Sequence, residues 1–211
     1  MQINKLLATA LLALTAHAGT LLEVGPPSGP FFASPPIASS AAFASGFSLD
    51  QTYTNLNVEA MLGATATFPA GHAFLMRAIG TNATAADEIQ SRILNFPLTP
   101  NLQNGAFQSL FSGLTLDAGT YHLVVETPVA NAADIIGYFL GATVNTAPGI
   151  SFTGNFARVP AAAYAPASNF AAYTTANYRI RVSGDPTVPE PATLALTAAA
   201  FLALGLYKRR S

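Results

Sequence analysis

Charge is the scarcest feature of this 211-residue sequence, since Asp, Glu, Lys and Arg make up only 9% of it. Soluble globular proteins carry about 25% charged residues, so the composition disfavours an ordinary cytosolic enzyme. The formal net charge of −1 also disfavours a nucleic-acid-binding protein, which needs a clustered basic face. The sequence has no Cys and no Trp, so no disulfide stabilises the fold and thiol chemistry is excluded.

The N-terminus has the pattern of a secretory signal peptide. An apolar run from Leu6 to Leu14 follows one positive charge, and Ala16 and Ala18 place small residues at the two positions that a signal peptidase recognises. Cleavage is therefore predicted before Gly19. A membrane anchor is the alternative, but a run of this length is too short to span a hydrocarbon core of about 30 Å. We predict that residues 1–18 are a signal peptide and that the protein is exported.

The C-terminus has the pattern of a membrane-spanning helix with a stop-transfer signal. The segment from Ala192 to Tyr207 has no charged residue, and a basic tail of residues 208–211, with Lys208, Arg209 and Arg210, follows directly. At about 1.5 Å per residue this helix is about 24 Å long, slightly short of the bilayer core and workable with snorkelling side chains. Flanking positive charge stays in the cytoplasm, so the preceding domain is expected outside the inner membrane.

The linker before this span carries Val188, Pro189, Glu190 and Pro191. The two prolines keep the backbone extended until Pro191, which suits the first turn of a helix. Pro-Glu-Pro, a short apolar span and an Arg-rich end, in this order, resemble the PEP-CTERM sorting signal of Gram-negative bacteria. The resemblance covers residues 188–211. It implies recognition by an exosortase, a membrane-embedded cysteine transpeptidase-like enzyme, and sorting to the cell surface or extracellular matrix.

The chain between the two apolar ends is predicted to form one mildly acidic domain. It holds five arginines, no lysine and nine carboxylates, so peripheral binding to anionic lipid headgroups is disfavoured. We expect a Pro-, Gly- and Ser-rich lead-in at residues 19–45, with little regular structure after residue 24. The main domain is expected at residues 46–184, and a linker that contains the Pro-Glu-Pro motif at residues 185–191.

Short runs of alternating apolar and polar residues indicate an all-β domain. Near its end, Tyr178, Ile180 and Val182 are expected to face inward. The two arginines between them, Arg179 and Arg181, are expected to face water. Many such runs, separated by Gly, Pro and Asn clusters, predict a single antiparallel β-sandwich with a jelly-roll-like arrangement.

The segment 114–121 carries the best-defined turn in the sequence. Its two leucines are expected to face the core, Asp117–Thr120 to form the turn, and Tyr121 to return on the core face. This L-x-L-x-A-G-T-Y pattern resembles a hairpin of many exported bacterial β-sandwich domains, which implies a structural element without chemistry. The segment 85–93 fits either a short helix or the start of a strand.

Catalytic motifs are missing, because neither H-E-x-x-H nor Gly-x-Ser-x-Gly occurs. His72, after a turn, and His122 have no acidic neighbours in the sequence and are expected to face solvent. A glycosidase stays open as an alternative, because different strands can bring together carboxylates from one set: Asp50, Glu59, Asp117, Glu126 and Asp134. Our prediction is a protein with no enzymatic activity, no cofactor and no metal.

Two groups of side chains remain as candidates for ligand binding. Tyr164 and Tyr173 are candidates to stack on sugar rings, although core filling is the alternative and the lack of Trp weakens the carbohydrate interpretation. Asp87 and Glu88, with Asn82, offer few oxygens for calcium. The predicted partners are thus signal peptidase, an exosortase-type enzyme, the inner membrane before processing and an exopolysaccharide, with no nucleic acid. The sequence favours a structural or adhesive matrix protein; a polysaccharide-binding module is the alternative.

Overall fold

The computed structural model of the protein describes residues 19–27, 32–33, 42–62, 71–94, 107–126, 137–139, 142–158, 163–174 and 177–187. The predicted signal peptide, sorting motif, membrane span and basic tail lie outside these residues, as does Asp134. Within the described ranges, no helix is long and apolar enough to cross a membrane.

Strands dominate the described chain, which confirms the predicted all-β class. The fourteen strands of these ranges are β1 Gly19–Pro27, β2 Phe32–Ala33, β3 Ala42–Leu49, β4 Tyr53–Met61, β5 Gly71–Met76, β6 Glu88–Leu94, β7 Phe107–Leu116, β8 Gly119–Glu126, β9 Gly137–Phe139, β10 Ala142–Thr146, β11 Ile150–Arg158, β12 Phe170–Ala172, β13 Asn177–Tyr178 and β14 Ile180–Pro186. The same ranges also contain two 3-10 helices, at Ala85–Asp87 and Ala165–Ala167.

The strands form two large antiparallel sheets and one small one. The five-stranded sheet has the order β10-β1-β14-β4-β7, and the six-stranded sheet has the order β12-β11-β3-β8-β5-β6. The third sheet consists of β13, β9 and β2. Neighbouring strands are antiparallel in all three sheets. The predicted sandwich-like architecture of antiparallel sheets is therefore confirmed.

The main core lies between the two large sheets and draws side chains from both. Its fully buried members include Leu22, Leu56 and Val58 from the five-stranded sheet and Phe47, Leu75 and Leu123 from the six-stranded sheet. Burial of one such side chain contributes about 1.5–3 kcal/mol. The predicted inward positions of Tyr178, Ile180 and Val182 are confirmed, since all three are buried.

The six-stranded sheet is covered on its outer face as well. The 3-10 segment around Ala165 packs there against Phe74, Met76 and Val124 and forms a second apolar cluster. Because β8 is buried on both faces, its segment Tyr121–Val125 is apolar at four of five positions and does not alternate strictly.

The predicted hairpin around Asp117 is wrong, because its two strands belong to different sheets. β7 ends at Leu116 and pairs with β4, whereas β8 begins at Gly119 and pairs with β3 and β5. Leu116 and Tyr121 are both buried in the main core, as expected. Side chains alternate in the same way in a hairpin and in an arch that crosses between sheets, so the sequence pattern does not distinguish the two.

The expected lack of regular structure in residues 24–45 is also wrong in part. β1, at Gly19–Pro27, is an inner strand of the five-stranded sheet, with Leu22 and Val24 fully buried. β3 already starts at Ala42 and is an inner strand of the six-stranded sheet. The prolines of β1 are tolerated because they stand at its end, where the register with β10 shifts.

The segment 85–93 combines both predicted alternatives. One turn of 3-10 helix at Ala85–Asp87 leads directly into β6 at Glu88. The Thr84 hydroxyl accepts a backbone N–H of this turn, and the Asp87 carboxylate accepts the Thr84 backbone N–H at 2.8 Å. This reciprocal capping box fixes the turn between β5 and β6.

Candidate functional site

Gly19 and Thr187 lie at the same end of the sandwich. Gly19, which follows the predicted cleavage site, is opposite Gly184 in the pairing of β1 with β14. β14 continues to Pro186, and Thr187 follows it. We name this end the tail end. Its connections include residues 50–52, 117–118 and 147–149.

Hydrogen bonds fix Thr187 to the tail end. Its backbone N–H and its hydroxyl both donate to the Thr52 carbonyl oxygen, at 3.1 and 2.7 Å. The Thr52 hydroxyl in turn donates to the Asp117 carboxylate at 2.9 Å. The predicted sorting motif, Pro189-Glu190-Pro191, therefore begins two residues after a fixed point of the sandwich.

A shallow depression of about 360 Å³ opens at the tail end. The residues that line it are Ser48, Leu49, Asp50, Gly149, Ile150 and Ser151. Gly149 has a φ of 90°, and a Cβ at this position would collide with the Tyr53 hydroxyl, so the turn requires glycine. The depression offers hydroxyl groups and one carboxylate in an open setting, which suits polar contacts at a surface.

The carboxylates considered for glycoside hydrolysis lie in separate parts of the sandwich. Asp50 and Asp117 are at the tail end. Glu59 lies on the outer face of the five-stranded sheet, whereas Glu126 lies on the outer face of the six-stranded sheet. Asp134 is outside the described residues. Among the described members, the structure thus places only Asp50 and Asp117 at the same end.

Glu126 is the centre of a charged cluster that the sequence does not predict. Its carboxylate lies 3.0 Å from His72 Nδ1 and 3.6 Å from Arg158 Nη1. The Arg158 side chain is only 4% exposed, and its Nη1 donates to the Ser168 hydroxyl at 3.2 Å. Desolvation lowers the pKa of Arg158, and the Glu126 charge opposes that shift. Glu126 therefore places a negative charge beside a buried cation.

The expected turn position of His72 is wrong, whereas its side chain does face solvent in part. His72 lies in β5, directly opposite Glu126 of β8, and its side chain is 40% exposed. The two residues are 54 positions apart in the sequence, so no local motif indicates their contact.

His122 is half-buried, contrary to the expected solvent-facing position. It lies on the outer face of the six-stranded sheet between Gly46 and Met76, with its ring edge-on to Phe156 at a centroid distance of 5.8 Å. Desolvation lowers the pKa of His122. Its Nδ1 atom has no hydrogen-bond partner within the described part of the chain. The ring therefore acts as part of the packing.

The structure places the two candidate stacking tyrosines in different environments. The Tyr164 hydroxyl donates to the Glu88 carboxylate at 2.9 Å, and its ring packs edge-on against Phe74 in the second apolar cluster. Desolvation, followed by the hydrogen bond to Glu88, raises the pKa of Tyr164 well above its usual range. Tyr173 stacks on Tyr178 and packs against the main core. The two rings are partly buried and do not form one platform.

The acidic pair considered for calcium has local structural roles. Asp87 accepts hydrogen bonds from the backbone N–H and the hydroxyl of Thr84, and Glu88 accepts from Tyr164. Asn82 is exposed. No cluster of three His, Cys, Asp or Glu side chains that could hold a metal occurs among the described residues.

A row of polar side chains crosses the outer face of the five-stranded sheet. The strand register places five residues side by side on successive strands: Asn145, Glu23, Arg181, Glu59 and Ser109. Arg181 Nε donates to Glu23 at 3.0 Å, and its Nη1 lies 3.6 Å from Glu59. The guanidinium lies 4.1 Å from the centroid of the Phe107 ring. The hydrogen bond to Glu23 is the main cause that raises the pKa of Arg181. We name this set the polar row.

Comparison with known proteins assigns no family to the chain. No family model and no curated protein matches it. One similar solved structure is that of a family 35 carbohydrate binding module from an environmental isolate. It shares 18% sequence identity at a TM-score of 0.34, over 65% of this chain and 93% of that chain. A likeness this weak carries no argument about the function of this chain.

Proposed function

We propose that this chain is an exported protein that an exosortase-type enzyme recognises through Pro189-Glu190-Pro191 and sorts to the cell surface or extracellular matrix. Its β-sandwich then acts as a structural or adhesive component of an exopolysaccharide matrix. The proposal starts from the resemblance of residues 188–211 to a PEP-CTERM signal and from the predicted signal peptide at residues 1–18.

The observation that supports the proposal best is the pairing of Gly19 with Gly184 at the tail end. The predicted signal peptide and the predicted membrane span attach to two neighbouring strands, so both enter a membrane from the same end of the domain. A nine-residue strand such as β1 is about 30 Å long, and attachments at opposite ends would need a linker of at least that length. The topology therefore suits a domain that is anchored in one membrane before processing.

The length of the linker indicates which kind of enzyme can reach the motif. Five residue steps separate Thr187 from Ala192, and an extended chain covers at most about 3.6 Å per step, so the predicted span starts within about 18 Å of Thr187. The polar interface of the bilayer takes up about 5–8 Å of this distance. A soluble enzyme of ordinary size has little room there. A membrane-embedded enzyme, in contrast, can approach the motif from within the bilayer plane.

The charged side chains of the sandwich favour a structural role for the domain. Glu126 compensates the buried Arg158, and Glu59 pairs with Arg181 between two strands of one sheet. Asp117 accepts a hydrogen bond from the hydroxyl of Thr52, and the carbonyl oxygen of Thr52 in turn holds Thr187 at the tail end. These carboxylates thus hold strands and connections together, which is what a cohesive module requires.

Fractionation of cells that express the full chain tests the sorting proposal. We expect the wild-type chain to leave the inner-membrane fraction. A variant with Pro189→Ala, Glu190→Ala and Pro191→Ala is expected to stay there at full length, because the extended, carboxylate-bearing motif is gone. Pro186→Ala, the same type of change outside the motif, is the matched control and is expected to be sorted. Equal retention of the wild type and the triple variant overturns the proposal.

Polysaccharide binding is a second candidate function, and the polar row is the observation that favours it. Guanidinium, carboxylate, amide and hydroxyl groups stand side by side across one sheet face, and such groups can bond to the hydroxyls of a sugar chain. A glycan-array screen of the full chain tests this function. Arg181→Ala is expected to abolish any binding through the row, whereas Arg77→Ala, an exposed arginine directly after β5 of the other sheet, is the control. Binding that survives Arg181→Ala excludes the row as the site.

A further inference from the structure

One peptide bond of β14 differs chemically from every other bond of the chain. Asp185-Pro186 is the only Asp-Pro sequence in the 211 residues, and it lies between the sandwich and the predicted sorting motif. In an Asp-Pro sequence the side-chain carboxyl group can attack the backbone carbonyl carbon of its own residue through a five-membered ring, and the proline nitrogen leaves as a secondary amine. Such a bond can therefore break without a protease.

The carboxyl group of Asp185 is held in position by β4. The Asn55 side-chain amide donates to Asp185 Oδ2 at 3.0 Å, beside the pair that Asp185 forms with Thr54. Asn55 has a φ of 52°, and among the described residues it is the only non-glycine residue with positive φ. Backbone conformations of this kind are uncommon and concentrate at functional sites. Here the conformation belongs to the residue that fixes the Asp185 carboxyl group.

The other oxygen of this carboxyl group is shielded from water. Asp185 Oδ1 is buried, and it accepts no hydrogen bond within the described part of the chain. Buried polar atoms without a partner are rare in folded proteins, and catalysis is one of the reasons for which they occur. The hydrogen bond from Asn55 thus fixes the group through Oδ2, while the lone pairs of Oδ1 are available for attack.

The bond itself is accessible and is fixed on both sides. Pro186 is exposed, so water and protons reach its nitrogen. Asp185 is opposite Thr54 in the pairing of β14 with β4, and Thr187 donates two hydrogen bonds to the Thr52 carbonyl oxygen. Groups that are held in this way react faster, because the entropy of bringing them together is already lost on folding.

We propose that the folded chain cleaves its own Asp185-Pro186 bond in mildly acidic surroundings. Asp185 Oδ1 forms a bond to the backbone carbonyl carbon of the same residue. The C–N bond then breaks, and the proton of the carboxyl group passes to the Pro186 nitrogen, which keeps the electron pair. This step leaves a cyclic anhydride at Asp185 and a secondary amine at Pro186. Water opens the anhydride to two carboxyl groups, so the net reaction is the hydrolysis of one peptide bond.

The need for acid follows from the leaving nitrogen. An amide nitrogen leaves only when it receives a proton, so the rate rises as the pH falls. Within the described residues, the flanking strands place no charged side chain opposite the bond, since β4 places Tyr53 opposite Pro186 and β1 ends there at Gly19. The other carboxylates of the tail end, Asp50 and Asp117, lie in connections and not on these strands.

The position of the bond determines the effect of the cleavage. Residues 19–185 contain the sandwich, whereas residues 186–211 contain the predicted sorting motif and span. Cleavage therefore separates the sandwich from every group to which a sorting enzyme joins the chain at that motif. Acid then releases the sandwich from the surface, whereas the sorted protein stays intact at neutral pH. This consequence rests on the proposed function, but the cleavage itself does not.

Incubation of the full chain in detergent micelles tests the cleavage. At mildly acidic pH, intact-mass spectrometry is expected to show one fragment that ends at Asp185 and one that begins at Pro186. At neutral pH we expect the uncut chain. The same chain, unfolded in guanidinium chloride at the same acidic pH, measures the ordinary lability of an Asp-Pro bond. We expect the folded chain to react at least about tenfold faster, because only the fold orients the carboxyl group.

Three variants separate the chemistry from the packing, and circular dichroism checks that each is folded. Asp185→Glu keeps the charge but needs a six-membered ring, and Pro186→Ala keeps the carboxyl group but lacks the tertiary amide; both are expected to lose the cleavage. Asn55→Gly allows the left-handed backbone and removes the amide that holds Oδ2. It is expected to slow the folded chain about tenfold and to leave the rate of the unfolded chain unchanged, as befits a positioning residue.

Three results overturn the proposal: no cleavage of the folded wild-type chain, equal rates in the folded and unfolded chain, or cleavage that persists in both Asp185→Glu and Pro186→Ala. An unchanged rate in folded Asn55→Gly contradicts the positioning role of Asn55. In cells, acid treatment of the sorted fraction is expected to release the sandwich of the wild type but not that of Pro186→Ala. If sorting fails, the detergent experiment still measures the cleavage, so the failures of the two proposals are distinguishable.

Discussion

Glu126→Gln is the substitution that tests the packing of the domain most directly. Glutamine keeps the shape of the side chain and can still accept a hydrogen bond from His72, but it removes the negative charge that faces Arg158. The guanidinium of Arg158, 4% exposed, then remains buried without the carboxylate that opposes its desolvation. We therefore expect a large loss of stability from a change that removes no bulk.

The magnitude follows from the burial of the two partners. Removal of one partner of a buried ion pair costs about 3–5 kcal/mol, and the 3.6 Å separation places Glu126→Gln near the lower value. Glu59→Gln is the matched control, because Glu59 also lies 3.6 Å from a guanidinium, that of Arg181, whose side chain is 31% exposed. A solvent-accessible pair contributes about 0–1 kcal/mol. The expected difference between the two variants is thus about 2 kcal/mol or more.

Urea denaturation of the full chain in detergent micelles, followed by circular dichroism, measures both variants. In thermal denaturation, about 3 kcal/mol corresponds to a drop of about 6–12 °C in the melting temperature of a domain of this size. Arg158→Met in the Glu126→Gln background is expected to restore part of the stability, because it removes the buried charge that the Glu126 carboxylate no longer faces. A loss of stability in Glu126→Gln that is no larger than in Glu59→Gln contradicts the role of the Glu126 carboxylate beside the buried Arg158.

Other predictions concern the pH dependence of stability, the turn at Gly149 and the hydrogen bonds that hold Thr187. The free energy of unfolding is expected to fall as the pH drops below 6.5, the ordinary pKa of histidine. The cause is that His122 binds a proton in the unfolded chain at a higher pH than in the folded protein, where desolvation lowers its pKa. Urea titrations at several pH values measure this dependence, at most about 1.4 kcal/mol per pH unit, and His122→Gln is expected to remove it. Gly149→Ala is expected to lower the free energy of unfolding by about 1–3 kcal/mol more than Gly113→Ala, because both have positive φ but only the former meets Tyr53. Thr187→Val is expected to speed hydrogen exchange of the residue 187 amide about fivefold, because the hydrogen bond from the Thr187 hydroxyl to the Thr52 carbonyl oxygen is lost. Thr187→Ser keeps the hydroxyl and is expected to leave the exchange rate unchanged.

The sequence predicts those features of the fold that depend on local alternation. Tyr178, Ile180 and Val182 alternate with polar residues, and burial of one sheet face is the physical cause of that pattern, so the strand and its inner face follow directly. The capping residues Thr84 and Asp87 likewise act within one turn. Local patterns of this kind predict the class of the fold, but they do not predict the order of its strands.

Features that depend on strand order do not follow from the sequence. Glu126 meets His72 because β8 and β5 are neighbours, and Arg158 reaches Glu126 across β3. The arch at Asp117 has the same local pattern as a hairpin, and only the pairing of β7 with β4 distinguishes them. Tyr164 is a candidate stacking residue in the sequence, whereas its hydrogen bond to Glu88 depends on a contact between residues 76 positions apart.

The scarcity of charge and the topology of the chain support each other in the proposed function. Carboxylates of the sandwich lie beside guanidinium groups of other strands, as Glu126 does beside the buried Arg158 and Glu59 beside Arg181. The pairing of β1 with β14 brings the two predicted membrane attachments to one end of the domain. The same composition that disfavours a cytosolic enzyme thus suits a domain whose sparse charges hold its own strands together and whose two attachments face one membrane before sorting.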